Sequence, residues 1–284
     1  MKVQGIIHTY DEDRRILTIK HRRHIVYYYM QNQLLKEFDK FLAPGHLISF
    51  EADAVAKVRR GIKAVQIHHF HRIKGLRYRV AKVFYDAALL QHEMLQTIVN
   101  HPAKLFLDVE LSMQPYEKGV KFTQEIIQVG AVLEVNGTVI HHYNDYIKPQ
   151  VHPQLTQRTK DFLHIDESVL VHARSAEEWY QTLATWMSTY QPQIYVWGRN
   201  DFLSLDTFYR LLGKPNLTPR NRFVDIMKMI KQFRHQKNDI GLLQCAIEMG
   251  HTVDKQVHDA FIDAQLTQFI THQFIEELKQ VTSR

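Results

Sequence analysis

Cysteine is almost missing: the 284 residues hold one, Cys245, which excludes an internal disulfide framework and a cysteine-rich zinc site. No apolar run approaches the roughly 20 residues that a transmembrane helix needs. The start, Met1-Lys2-Val3-Gln4-Gly5, has neither the apolar stretch nor the small-residue cleavage site of a secretory signal, so a cytoplasmic location is expected. Internal repeats and low-complexity tracts are absent. What is there is an ordinary globular composition, 45% hydrophobic and 23% charged, in a length that suits one large domain or two modest ones.

Charge is unevenly spread. Residues 1–75 carry 14 Lys/Arg against 7 Asp/Glu, a net +7, while the remaining 209 carry 22 against 23, a net −1. A basic segment can dock a polyanion through phosphate contacts that release counterions; a merely solubilising surface has the same composition. The spacing predicts strands over residues 3–9, 15–20, 24–30, 47–56 and 62–73. A helix comes between the third and fourth, where Leu34, Leu35, Phe38, Phe41 and Leu42 recur at helical spacing. The order β-β-β-α-β-β is that of an OB-like barrel, a fold whose strand face and loops bind oligonucleotides. Basic and aromatic residues interleave in this segment, as single-strand binding requires. Arg22, Arg23, Tyr27, Arg59, Arg60, Phe70 and Arg72 are its candidate nucleic-acid contacts. For any one of them, a core aromatic or a solvated cation is the simpler reading. His68, His69 and His71 fit a basic strand face better than a metal site.

Residues 76–103 are expected to form a connecting helix with Val80, Val83, Phe84, Ala87, Leu90, Met94 and Ile98 on one stripe. From 104 to 284 the pattern is α/β. Residues 105–113, 125–135 and 138–147 read as strands, the last two joined by Asn136-Gly137, whose two positive φ angles suit a hairpin turn. Residues 176–190 read as a helix capped by Ser175, 194–197 as a buried strand, 201–212 as a helix ended by Gly213, and 222–226 as a fifth strand. Helices follow to the C-terminus. A mixed five-stranded sheet flanked by helices is the expected result.

Certain acids stand out by position. Asp108 and Glu110 are two apart on an apolar strand, so their side chains share a face. Burying such a pair is costly unless it is paired or coordinates metal. Asp201 follows Val196-Trp197-Gly198-Arg199-Asn200 at a helix start, near the carboxyl end of a strand, where open α/β sheets place ligands; a helix-capping aspartate would sit there too. His258 and Asp263 are five apart, roughly 140° around an ideal helix, so they converge only if His258 lies at or before the first turn. Asp206 and Asp225 read as structural or exposed, and Asp259 as a first-turn acid. Hard carboxylate oxygens suit Mg²⁺ or Mn²⁺. Two such ions can hold the attacking and leaving oxygens of a displacement at phosphorus, and a histidine beside them can take the proton of the attacking water.

Taken together, Asp108-Val109-Glu110, the Asp201 segment and His258-x4-Asp263 make the chain resemble the DEDDh-type 3′→5′ exonucleases of the RNase H-like fold, over about residues 104–266. The wording of Asp108-Val109-Glu110-Leu111-Ser112-Met113, of residues 124–132 and of residues 155–165 is most similar to the ERI-type and KapD-like branch. The resemblance implies Asp108, Glu110, Asp201 and Asp263 as ligands of two Mg²⁺ or Mn²⁺ ions and His258 as general base. It further implies Leu111, Ser112 and Met113 beside the terminal nucleotide, and single-stranded nucleic acid, RNA before DNA, as substrate. Leu111 stands where many relatives have threonine, which bears on fit more than on chemistry. Two competing expectations remain: a catalytically silent single-strand binder, and an exonuclease acting on DNA or short oligonucleotides.

Overall fold

The computed structural model describes residues 1–59, 61–76, 80–117, 119–252 and 258–283. The chain divides into two units, Met1–Glu93 and Met94–Arg284.

In the first unit the β-branched and aromatic runs become β1 (Lys2–Asp11), β2 (Ile16–His21) and β3 (His24–Tyr29), followed by α1 (Asn32–Phe38). Then come β4 (His46–Ala52), β5 (Lys57–Arg59), β6 (Ile62–Gly75) and β7 (Lys82–Asp86). Pairing runs β3-β2-β1-β4-β6, and a β3–β6 pairing closes these five strands into a barrel. All of its ladders are antiparallel except β3–β6, where Tyr28 lies opposite Val65. Ile7, Leu17, Ile19, Ile48, Phe50 and Ile67 fill the interior, and α1 adds Leu34 and Phe38.

Phe70 belongs to that interior too and corrects its expected role as a nucleic-acid contact. It is fully buried, with its ring 5.1 Å from Phe38 and 5.8 Å from Phe50, because its position on β6 faces inward. Arg72 is tied to Asp86 at 2.7 Å. Arg60 lies outside the described residues.

Residues 76–103 do not form one helix. Lys82–Asp86 is a strand pairing with β6, because Phe84 and Tyr85 pack on the barrel core. Asp86 then accepts from the Ala88 backbone N–H at 3.1 Å and starts α2 (Ala87–Val99).

The second unit holds β8 (Ala103–Leu111), β9 (Ile126–Val135) and β10 (Thr138–Tyr146), then α3 (Gln157–Leu163) and α4 (Ala176–Tyr190). They are followed by β11 (Gln193–Val196), α5 (Asn200–Leu212), β12 (Phe223–Asp225), α6 (Ile226–Phe233), α7 (Leu242–Glu248) and α8 (Ala260–Thr282). Asn136 and Gly137 take φ of 52° and 80° in the β9–β10 turn. Ser175 and Glu178 form a reciprocal capping box on α4. The five-stranded sheet has the order β10-β9-β8-β11-β12, antiparallel through β8 and parallel beyond it.

Alternation along β8 sorts this core into two layers. Leu105, Leu107 and Val109 meet Trp179, Leu183, Leu205 and Phe208 from α4 and α5. Phe106, with Val132 and Tyr195, meets Ile270 and Phe274 of α8 and the residues of α6 and α7. Asp108 and Glu110 share the parity of Phe106 and so open toward α8. Among the described residues, no helix is long and apolar enough to cross a membrane.

Candidate active site

The carboxyl end of β8 carries the site. Asp108 and Glu110 project from it on one face. Asp201, 5% exposed, lies in the first turn of α5, which the chain enters through Gly198 at a φ of 96°. Its Oδ1 accepts from the Val109 backbone N–H at 3.3 Å, which fixes the start of α5 against β8. Asp263 lies in the first turn of α8. The residue before its N-cap is His258, and ligand atoms of Glu110, His258 and Asp263 all fall within 4.8 Å of one another. The His258 ring stacks on Phe162 of α3, with centroids 4.5 Å apart and planes at 24°. Asp259 is the cap itself: Oδ1 accepts from Phe261 and Ile262 at 3.0 Å, and Oδ2 accepts from Gln128 Nε2 at 2.8 Å.

Packing carboxylates into a partly buried pocket raises their proton affinity. Glu110 is pushed up to about 8, by burial first and then by Asp263, Asp201 and Asp259. Asp201 rises to about 7 through burial, held back by the Val109 N–H and its own and raised further by Asp225 and Asp263. Asp263 rises to about 6 through burial and Asp259. Asp108 is held well above the carboxylate range by burial, then by Asp201, Asp263, Glu110 and Asp259. The side-chain charges acting most strongly on all four are negative. That donor set, hard oxygens in mutual repulsion with one imidazole beside them, fits divalent Mg²⁺ or Mn²⁺.

The neighbouring expectations divide. Leu111 and Met113 are half-buried, but Ser112 turns inward at 3% exposure. Its Oγ accepts from the Glu125 N–H at 2.9 Å and its N–H donates to the Glu125 carbonyl at 2.8 Å, so its side chain is spent on the fold rather than on a nucleotide. Thr159 Oγ1 accepts from the Met113 N–H at 2.9 Å, and Thr156 Oγ1 donates to the Met113 carbonyl at 2.8 Å, which moors this segment to α3. Asp225 caps α6 by accepting from the Lys228 N–H at 2.9 Å, and Asp206 accepts from Asn216. Arg22, Arg23 and Tyr27 are exposed and Arg59 half-buried, all on the barrel unit.

Two residues of the site escape the sequence pattern. Gly130 lies opposite Asp108 on the neighbouring strand, and a Cβ built there would stand 2.0 Å from the Ala260 carbonyl group. Gln128 is a buried amide at 3% exposure. Its signal was present, a polar residue inside Ile126-Ile127-Gln128-Val129, but its partners are 131 and 132 residues away.

The exonuclease family RNase_T matches residues 105–270. The probable 3′-5′ exonuclease KapD of Bacillus subtilis (strain 168) is 26% identical over 179 residues, which is 62% of this chain and 85% of that protein. The solved nuclease domain of 3′hExo, a DEDDh family member bound to rAMP, superposes with a TM-score of 0.53 at 18% identity, covering 64% of this chain and 94% of the other. Cell-death related nuclease 4 superposes with a TM-score of 0.50 at 16% identity, covering 63% and 64%.

Proposed function

Because the chain belongs to the RNase_T exonuclease family, we propose that it is a DEDDh-type enzyme that hydrolyses single-stranded nucleic acid, RNA before DNA, from the 3′ end to 5′-mononucleotides. The observation that carries this reading is the convergence of Glu110, His258 and Asp263 within 4.8 Å, beside Asp108 and Asp201. In this reading the four carboxylates hold two Mg²⁺ or Mn²⁺ ions. Ions bound there would supply positive charge to the scissile phosphate and the leaving oxygen. His258, steadied by Phe162, takes the proton of the attacking water. The water oxygen bonds to phosphorus and the P–O3′ bond breaks. The leaving oxygen gains a proton from solvent, so the shortened strand keeps a 3′-hydroxyl. The 3′-5′ polarity ascribed to KapD and the rAMP bound to 3′hExo support the direction of attack and the preference for RNA.

With 5′-labelled RNA and DNA strands of one sequence, Mg²⁺ or Mn²⁺ should produce a ladder shortening from the 3′ end, faster on RNA, and EDTA should stop it. Equal rates on both would remove the RNA preference. Metal-independent cleavage, or none at all by the folded protein, would remove the hydrolase.

The barrel we assign as an OB-like module that grips the substrate strand. Its order β1-β2-β3-β6-β4, with a parallel closing pair and a helix after the third strand, supports the OB-like reading. The β3–β6 register carries the β2–β3 turn, with Arg22 and Arg23, and the β5–β6 hairpin, with Lys57, Arg59 and Lys63, to one end of the barrel. The acidic turn Asp11-Glu12-Asp13 lies at the other end, between β1 and β2. A double Arg22→Glu/Arg23→Glu variant should weaken RNA binding and lower the slope of log affinity against log salt by about 1 for each phosphate no longer neutralised. An unchanged slope and affinity would mean that this end does not meet the strand.

A further inference from the structure

We propose that Gln128 is a positioning residue: it clamps the start of α8 to the strand beside Glu110 and thereby sets where His258 and Asp263 meet that carboxylate. The inference rests on the exonuclease reading of the site. Gln128 lies opposite Glu110 on one side and Tyr146 on the other, on the face that opens toward α8. Its Nε2 donates to Asp259 Oδ2 at 2.8 Å, and its Oε1 accepts from the Ala260 N–H at 3.4 Å. A buried amide is costly unless its polar atoms are met. Packing alone would be served by an apolar residue, as at Ile127 and Val129 on either side.

What the amide adds is direction. Two bonds from one planar group to adjacent residues fix both the height of the helix start and its rotation about the axis. They act on the turn that matters, because Asp259 follows His258 and its backbone carbonyl accepts from the Asp263 N–H at 2.9 Å. Phe162 holds one face of the His258 ring; the clamp holds the backbone from which that ring extends. No other described side chain bonds the Asp259 carboxylate, so without Gln128 the helix start keeps its cap and its packing on Gly130 but loses the hydrogen bonds that orient it on the sheet.

The experiment compares Gln128→Leu, Gln128→Glu, Asp259→Asn and the exchange pair Gln128→Glu/Asp259→Asn with wild type and Asp108→Ala, in Mn²⁺ on 5′-labelled RNA. In the exchange pair the amide and the carboxylate trade places. The amide at position 259 then donates, the carboxylate at position 128 accepts from it and from the Ala260 N–H, and the cap is kept. Gln128→Leu is expected to lose about 100-fold in kcat, the scale of a 1 Å misplacement, with KM within about threefold because the substitution removes no group proposed to meet the strand. Each single exchange variant should lose activity, and the pair should recover to within about tenfold of wild type, a coupling that non-interacting residues do not show.

Folded variants in which the pair is no better than either single, or a Gln128→Leu enzyme with wild-type kcat, would overturn the clamp. Should the leucine variant not fold, the exchange cycle decides alone. Failure of the underlying reading looks different: wild type itself would then show no metal-dependent trimming above Asp108→Ala.

Discussion

Gly130→Ala should cost the nuclease unit about 3 kcal/mol or more, the upper range for overpacking a filled core, together with nearly all of its activity. Gly130 lies between Asp108 on β8 and Asn144 on β10. A Cβ there would stand 2.0 Å from the Ala260 carbonyl carbon and oxygen and 2.1 Å from the Phe261 nitrogen. Those atoms are backbone, so no rotamer change relieves the clash and the first turn of α8 must withdraw. That turn is not free to move: Ala260 and Ala264 are fully buried, as are Ile270 and Phe274 further along. Withdrawal by about 1 Å separates Asp263 and His258 from Glu110, a displacement worth roughly 100-fold in rate. Gly137→Ala is the control, since that glycine has a φ of 80° and nothing within 4 Å of its Cβ position. It should show backbone strain in the melting temperature and no change in kcat. A Gly130→Ala protein with wild-type stability and turnover would mean that strand and helix are not in such close approach.

The same close approach explains where sequence reading stops. Asp108 and Glu110 are legible because alternation is a local rule, and two charges on one face of an apolar strand need a reason wherever the strand lies. Asp201 is legible only as a helix-start acid; that it reaches back to the Val109 N–H depends on β11 lying beside β8. His258 and Asp263 do not share a helix face at five-residue spacing. They converge because Asp259 begins the helix and leaves His258 outside it. Gly130 and Gln128 acquire their meaning from a helix that arrives about 130 residues later, which no local period encodes. On the barrel side, the stripe of Val80, Val83, Phe84 and Ala87 satisfies helical spacing as well as it does a short strand, and only the β6 edge decides for the strand. Phe70 fails as a nucleic-acid contact for the complementary reason. Aromatics among basic residues mark either a stacking platform or a barrel core, and inward alternation makes it the core.

Replacing Asp263 by asparagine should separate catalysis from stability in opposite directions. Turnover should fall on the order of 10³-fold, the scale of removing one charge-stabilising group from an active site. Without divalent metal the variant should nevertheless be the more stable protein near pH 8. Carboxylates in unfolded chains titrate near 4, whereas in the fold Asp263 is raised to about 6, Asp201 to about 7 and Glu110 to about 8. Between those values the folded state holds more protons than the unfolded one, so stability falls as pH rises. It is greatest below about pH 4 to 5 as far as these groups are concerned, and the whole penalty is present above the highest folded value. Divalent cations that bind the four carboxylates favour their charged forms and offset that penalty by mass action on the native state. In EDTA the wild-type melting temperature should therefore drop from pH 5 to pH 8, and millimolar Mn²⁺ should recover most of the loss at pH 8 while doing little at pH 5. Asp263→Asn deletes one partly buried negative charge that raises Glu110, Asp201 and Asp108. It should melt at least about 3 °C above wild type in EDTA at pH 8, given the few degrees per kcal/mol typical of a unit this size, and gain less from Mn²⁺. A variant that melts below wild type at pH 8 in EDTA, or a wild-type protein whose melting is flat across that pH range, would show that these acids do not repel one another in the fold, and the donor set inferred for the cations would go with them.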